Sequence, residues 1–216
     1  MWNENRSNTA VAGVRTPLES PLVGAQNLLD SNQALQSKAF RLRERPFLDL
    51  ANVRGDARDR EFIAAVDGAI GVRLPTKPNT VARGAEYDAL WLGPDEWLIR
   101  STEARKPELE GKLRTALGTL FASAVDVGSG YTVVEASGDR VRDVIARGCP
   151  LDLHPQVLQP GQCAQSHYFK ASIVLIPTAY DAFELVVRRS FADYFCRIML
   201  DAAAPIVSGR RANRSP

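Results

Sequence analysis

The residues best suited to chemistry lie in one stretch of the chain and are Cys149, His154, Cys163 and His167. Thiolates and imidazoles are the usual ligands of zinc, and proteins supply them at short, regular spacings. The spacing here is irregular, and Cys163 and His167 fall in a predicted strand. Residues four apart in a strand lie roughly 13 Å from each other along it. We therefore predict no metal site.

Cys149 and His154 also suggest a nucleophile with a neighbouring base, since a thiol reacts as its thiolate. Cys149 follows a short predicted helix that Gly148 ends, and this position favours a buried structural cysteine. Asp126 and Asp152 are candidate general acids or bases, but aspartates at such positions more often accept backbone hydrogen bonds in turns. We predict no catalytic and no cofactor-binding residue in this chain.

Two tryptophans, Trp91 and Trp97, flank one turn and could stack on a heterocyclic ligand. Core packing, or burial in a subunit interface, is the more common use of such side chains. A second candidate for an interface is the apolar piece at residues 17–23, which stands in an otherwise polar N-terminal arm. The predicted interface residues are Leu18, Pro21, Leu22, Trp91 and Trp97.

Hydrophobic periodicity places these residues on alternating strands and helices. Strands are predicted at residues 40–43, 47–53, 89–92, 97–99, 125–127, 131–136, 164–170, 173–176 and 183–187. Helices are predicted over residues 59–70 with a stop at Gly71, from Pro107, after a cap at Ser137, and from Ser190.

This order of elements predicts an α+β fold of two ferredoxin-like halves of antiparallel sheet with helices. The glycine-rich stretch Gly128-Ser129-Gly130 lies between two strands, whereas a dinucleotide fingerprint joins a strand to a helix. We divide the chain into a largely irregular N-terminal arm at 1–38, an α+β domain of two pseudo-repeated halves at 39–204, and a flexible tail at 205–216.

Composition narrows the classes of partner. The 216 residues are 45% hydrophobic and 24% charged, with a formal net charge of only +2, which is ordinary for a globular protein. This balance gives no electrostatic reason to expect nucleic acid or anionic lipid. No apolar run approaches the ~20 residues that a membrane span needs, and the polar N-terminus has no signal pattern. We expect a cytoplasmic protein with no nucleic-acid or membrane partner.

Several strings in the sequence resemble one known family. They are Glu44-Arg45-Pro46-Phe47, LANVRG at 50–55, LWLGPDEWLI at 90–99, DVGSGY at 126–131, RGCPLDLHP at 147–155, PGQCAQ at 160–165 and VRRSFADY at 187–194. In this order and over most of the chain, they resemble the gamma subunit of heterotetrameric sarcosine oxidase. The sequence departs from the family pattern at Gly128-Ser129 and at residues 166–170, which leaves open a related N-methylated amine as the substrate.

The resemblance implies a fold related to the folate-binding domain of the glycine-cleavage aminomethyltransferase. It also implies a structural subunit of a complex that oxidatively demethylates sarcosine to glycine. The expected partners are the alpha, beta and delta subunits. FAD, FMN, NAD, tetrahydrofolate and zinc are expected in those subunits, with none bound by this chain.

Two other functions remain open at the level of sequence. The chain could be a stand-alone folate-binding or aminomethyltransferase-like protein, with Asp152 as its acid or base. It could also belong to a related folate-fold family that maintains iron–sulfur proteins through a Lys-Gly-Cys motif. Only the Gly-Cys part of that motif is present, at Gly148-Cys149.

Overall fold

A computed structural model describes residues 19–25, 29, 37–105 and 107–212. Leu18 and most of the predicted arm lie outside the described residues. The described part contains ten strands: β1 Arg41–Arg45, β2 Leu48–Arg54, β3 Val81–Arg83, β4 Tyr87–Gly93, β5 Glu96–Ala104, β6 Ser123–Asp126, β7 Tyr131–Ser137, β8 Ala164–Tyr168, β9 Ala171–Ala179 and β10 Ala182–Arg188. Its α-helices are α1 Arg60–Ile70, α2 Leu109–Leu117, α3 Val141–Ala146 and α4 Ala192–Ala212. None of these helices has the length and apolar content to cross a bilayer.

The strands form two five-stranded sheets in which every pair of neighbours is antiparallel. The N-terminal sheet has the order β3-β4-β5-β2-β6, and the C-terminal sheet has the order β8-β9-β10-β7-β1. The predicted α+β class and its two antiparallel halves are thus confirmed. The two orders are the same once the halves are matched, and each half gives its first strand to the other half's sheet.

Short connections join each exchanged strand to the strand that follows it in the other sheet. Only Pro46 and Phe47 separate β1 from β2, although these two strands belong to different sheets. Phe47 adopts a left-handed φ of 60°, which is uncommon for a bulky residue and allows the abrupt change of direction. On the other side, a 3₁₀ turn at Gly128–Gly130 links β6 to β7, with the Gly130 amide donating to the Val127 carbonyl at 2.9 Å.

The sheets face each other and carry their helices on the outer faces. Successive residues of a strand point to opposite sides of a sheet. Leu50 accordingly packs between the sheets, whereas Ala51 faces the helices α1 and α2. In the C-terminal sheet, Val133 packs between the sheets and Val134 faces the helices α3 and α4. The molecule therefore has four layers and three apolar clusters.

Most helix ends follow the sequence signals. Asp59 caps α1 through its carboxylate, which accepts from the Glu61 amide at 2.8 Å, and Gly71 ends the helix with φ 68°. Two expectations differ from the structure. Ser137 is the last residue of β7 rather than a helix cap, and the α3 helix begins after Arg140 without a side-chain cap. The last helix begins at Ala192, after a 3₁₀ turn.

The two ends of the described chain are more ordered than the sequence predicts. Helix α4 continues through Pro205 to Ala212, where a flexible tail was expected. A proline inside a helix removes one hydrogen bond, but Ile206 and Val207 still pack against the core of the C-terminal sheet. At the other end, Leu22 and Ala25 are buried in the same core. These apolar contacts explain why both segments join the folded body.

Candidate functional site

The two aspartates considered as general acids or bases hold turns together. The Asp126 carboxylate accepts from the Gly128 amide at 2.7 Å, and the Asp152 carboxylate accepts from the His154 amide at 2.8 Å. Each aspartate thus closes an Asx turn, which is the common use of this residue outside active sites.

Cys149, Cys163 and His154 take up structural positions, and His167 is exposed on β8. Cys149 is buried and its thiol contacts the Ser166 hydroxyl at 3.5 Å, while the exposed His154 accepts from the Gln156 amide. Cys163 is buried against the Trp91 carbonyl, 3.5 Å from its sulfur, and burial raises the pKa of its thiol to about 11. Within the described residues, no three His, Cys, Asp or Glu side chains are arranged to hold a metal ion.

The predicted interface residues divide into buried and accessible ones. Trp97 is completely buried beneath α1, where its ring lies 5.6 Å from that of Phe62 and its indole N–H donates to the Pro75 carbonyl at 2.8 Å. Leu22 is also completely buried. Because both side chains already fill this chain's own cores, a partner cannot reach them in this conformation. Trp91 and Pro21 remain partly exposed.

A cluster of charged side chains between the sheets was not anticipated from the sequence. Arg100 on β5 is buried, and its guanidinium donates to Asp88 on β4 at 3.0 Å and to Glu184 on β10. Arg45 also donates to Glu184, and Arg83 donates to Asp88 at 2.7 Å. We call these five residues the inter-sheet ion cluster. The available signal was a single charged residue inside each of the apolar runs YDALW, WLIRS and FELVV.

The inter-sheet ion cluster joins the two halves by charge. Burial by itself raises the pKa of the Glu184 carboxyl, but the charges and hydrogen bonds of Arg100 and Arg45 outweigh burial and lower it overall. Glu184 and Arg45 belong to the C-terminal sheet, whereas the other three members belong to the N-terminal sheet. The ion pairs therefore fix how one sheet sits on the other.

A semi-enclosed cavity of about 520 Å³ lies where the two crossing connections meet. Pro46 and Phe47 line it from one connection and Gly128 and Ser129 from the other, and Glu19–Pro21 form a further wall. Its arginines are engaged with protein groups: Arg45 with Glu184, Arg105 with the Tyr87 hydroxyl, and Arg189 with the Glu19 carbonyl. These contacts explain the three arginines of the cavity by their roles in the fold.

An apolar opening lies at one end of the N-terminal sheet. This opening, the Trp91–Phe121 cleft, has a volume of about 1130 Å³. Its apolar lining consists of Ala57, Pro78, Trp91, Pro94, Leu120, Phe121 and Ala122. Phe121 is as exposed as a free side chain, at 106%, and Trp91 is partly exposed. Large exposed apolar patches are a common feature of binding surfaces.

The exchanged-strand, two-sheet architecture is shared with a known enzyme fold. Aminomethyltransferase T of the glycine cleavage system from Bartonella henselae superimposes with a TM-score of 0.56 and 15% sequence identity, over 78% of this chain and 48% of that one. This likeness assigns the fold class.

The particular family follows from sequence. The model of the sarcosine oxidase gamma subunit family matches residues 54–205. A sarcosine oxidase subunit gamma from Corynebacterium sp. strain P-1 is 31% identical over 82% of this chain and 86% of its own length. One from Arthrobacter sp. is 31% identical over 67% of this chain and 71% of its own length. The chain belongs to the sarcosine oxidase gamma subunit family.

A solved assembly supports the same assignment. A chain of the heterotetrameric sarcosine oxidase from Corynebacterium sp. U-96, determined in complex with pyrrole 2-carboxylate, superimposes with a TM-score of 0.81 and 26% identity. The match covers 88% of this chain and 96% of that chain. The relatives are thus subunits of an oxidoreductase complex, and the resemblance inferred from the sequence strings is confirmed.

Proposed function

We propose that this chain is an assembly subunit of a heterotetrameric sarcosine oxidase and that the oxidation takes place on other subunits. The observation that carries the proposal is the near-complete superposition on one chain of such a heterotetramer. The positions of the candidate catalytic groups support the proposal, because Asp126 and Asp152 hold turns and Cys149 is buried.

The chemistry of the reaction also favours this division of labour. Oxidative demethylation of sarcosine to glycine removes two electrons from a carbon–nitrogen bond, and protein side chains do not accept a hydride as a redox cofactor does. We propose that FAD, FMN, NAD, tetrahydrofolate and zinc bind to the alpha, beta and delta subunits. This chain then contributes the surfaces that hold those subunits in place.

Co-purification tests this proposal. The tagged chain, isolated from its native cells, is expected to bring down two large flavin-bearing subunits and a small zinc-binding one. The eluate should absorb as a flavoprotein and produce hydrogen peroxide when sarcosine is added. A mock preparation from untagged cells controls for nonspecific recovery.

A colourless chain recovered alone would contradict the proposal. Calorimetry with tetrahydrofolate would then test the stand-alone folate-binding alternative. N-methylated amines other than sarcosine, offered to the same eluate, would identify the substrate class by their rates of peroxide production.

A further inference from the structure

The Trp91–Phe121 cleft presents its most exposed side chain on a rigid turn. Phe121 lies between α2 and β6, and the flanking amides are both bonded: Leu120 donates to the Leu117 carbonyl at 2.9 Å and Ala122 to the Leu120 carbonyl at 2.8 Å. Leu120 and Ala122 also pack against the core beneath the helices. The backbone around Phe121 is therefore fixed, and its ring projects from the described body with its surface fully exposed.

The facing wall of the cleft is also fixed. Trp91 on β4 is held by its backbone amide, which donates to the Thr80 carbonyl at 3.0 Å, and its ring is partly packed on the core. Pro78 and Pro94 line the same space, and proline has a fixed φ. Aromatic side chains with fixed positions are enriched at the centres of protein interfaces.

Most charged groups around the cleft already have partners. Its lining includes two cations, Arg54 and Arg58, and two anions, Asp56 and Asp95. Arg58 forms a bidentate pair with Asp56, with two nitrogen–oxygen distances of 3.0 Å. Arg54 donates to Glu96 at 2.8 Å, and this hydrogen bond and the charge of Glu96, together with the charge of Asp95, raise the pKa of Arg54. Both arginines are therefore paired, and among the described residues Asp95 is the lining charge that forms no ion pair.

We propose that the Trp91–Phe121 cleft binds an apolar segment of a non-identical subunit, with Phe121 as the central anchor. The inference rests on the proposed function, because a complex of four different subunits contains no second copy of this chain to cover the cleft. The pairing of both arginines fits this occupant: an acidic segment would gain no ion pair and would lose hydration at the apolar walls.

Because the Phe121 ring is exposed, it can be replaced without a change in the stability of the chain. In the co-expressed four-subunit complex, Phe121→Ser should weaken retention of this chain at least ~30-fold, as loss of an interface anchor does. Retention is measured as the complex concentration at which the chain dissociates during dilution and size-exclusion chromatography. The thermal midpoint of the isolated Phe121→Ser chain should equal that of the wild type, because the ring is fully exposed.

Tyr180→Ser is the matched control. Tyr180 is an aromatic residue of the β9–β10 turn on the other sheet and is 70% exposed. Its replacement should change retention by no more than ~3-fold. Equal retention of the wild type and of Phe121→Ser would overturn the docking site while leaving the assembly function intact. Failure of the wild type itself to assemble would overturn both.

A photo-cross-linking side chain, benzoylphenylalanine, identifies the occupant. Placed at residue 121 in the intact complex, it should join this chain to an apolar stretch of another subunit, whereas the same group at residue 180 should not. Cross-links from residue 121 to a second copy of this chain, or to a charged stretch of any subunit, would contradict the proposal.

Discussion

Glu184 illustrates how a single residue can be fixed by distant parts of the chain. Its neighbours in β10 are apolar, and it lies between the sheets at 3% exposure. An isolated carboxylate there would be strongly destabilised, but Arg100 and Arg45 reach it from two other strands. The ion pairs form only after the two sheets meet, so they select one arrangement of the sheets.

Replacing Glu184 with glutamine should therefore lower the free energy of unfolding by about 3 kcal/mol at pH 7, at the low end of the range for breaking a buried ion pair. Denaturant titration of both proteins provides the measurement. Glu135→Gln is the control, since Glu135 lies opposite Glu184 on β7 but pairs with the exposed Arg43. That exposed pair should contribute less than ~1 kcal/mol. Equal effects of the two changes would contradict this account.

The same substitution should change the response to acid. The pKa of Glu184 is lowered in the folded chain, so its stabilising effect is complete above the ordinary glutamate value of 4.5 and is lost as pH falls through the folded-state value. The difference in stability between wild type and Glu184→Gln should consequently shrink below about pH 4.5. Denaturant titrations at pH 7, 5 and 3.5 measure it, and a difference that stays constant would argue against a charged Glu184.

The three cysteines should be inert while the chain is folded. All are buried, and burial raises the pKa of Cys163 to about 11 and that of Cys196 to about 12, so neither thiol is ionised near neutral pH. A chromogenic disulfide reagent at pH 8 should detect no fast-reacting thiol in the native chain and three after denaturation. Fast reaction of one native thiol would indicate an accessible, activated cysteine.

At this scale the sequence predicts local roles better than distant ones. The turns closed by Asp126 and Asp152 involve residues two positions apart, and the signal is contained in the loop itself. Arg100 has partners on β4 and β10, and its strand neighbours predict only that the position is buried. The sequence predicts an interface role for Trp97 because an aromatic residue near a turn fits a core and a docking surface equally well.

At the scale of elements, helix α2 is capped by a residue of strand β2, which is distant in sequence. Its preceding residue, Glu108, makes no side-chain cap bond. Instead the buried Asp49 on β2 accepts from the Glu108 amide at 2.7 Å and from the Leu109 amide at 2.8 Å. A carboxylate at this position satisfies two amides that the helix leaves free and also complements the helix dipole.

Asp49→Ala should therefore destabilise the chain by about 2–3 kcal/mol, because it removes a helix cap and leaves buried amides without a partner. Asp59→Ala removes the exposed, local cap of α1 and should cost only about 1 kcal/mol. Chemical denaturation of the two variants makes the comparison. If Asp59→Ala were the more damaging change, the long-range cap would not have the role assigned to it.

Element boundaries show the same limit of sequence reasoning. The pattern of α1, with a capping aspartate and a terminal glycine, lies within thirteen residues and was predicted correctly. Helix α4 was expected to end near Pro205, since proline is a poor residue for a helix interior. Its continuation depends on Ile206 and Val207 finding apolar partners in a sheet that the local pattern does not reveal.

At the scale of the whole molecule, the exchange of β1 and β6 makes the two halves one folding unit. Each sheet lacks a strand unless the other half is present. We expect a single calorimetric unfolding transition in which the calorimetric and van't Hoff enthalpies agree. Two separate transitions, or one half that remains folded after the other is removed by proteolysis, would contradict this expectation.

The order in which a ribosome makes the chain gives the exchanged strands a further consequence. Strand β1 emerges early, but its partner β7 follows only about 90 residues later, which corresponds to roughly 5–20 s of synthesis. The N-terminal sheet can close only once β6 has emerged, a few residues before β7, so β1 has no partner strand through almost all of that time. During that interval the nascent chain exposes an unpaired strand and an incomplete sheet, and this is when a chaperone or an early-arriving subunit has the most to protect.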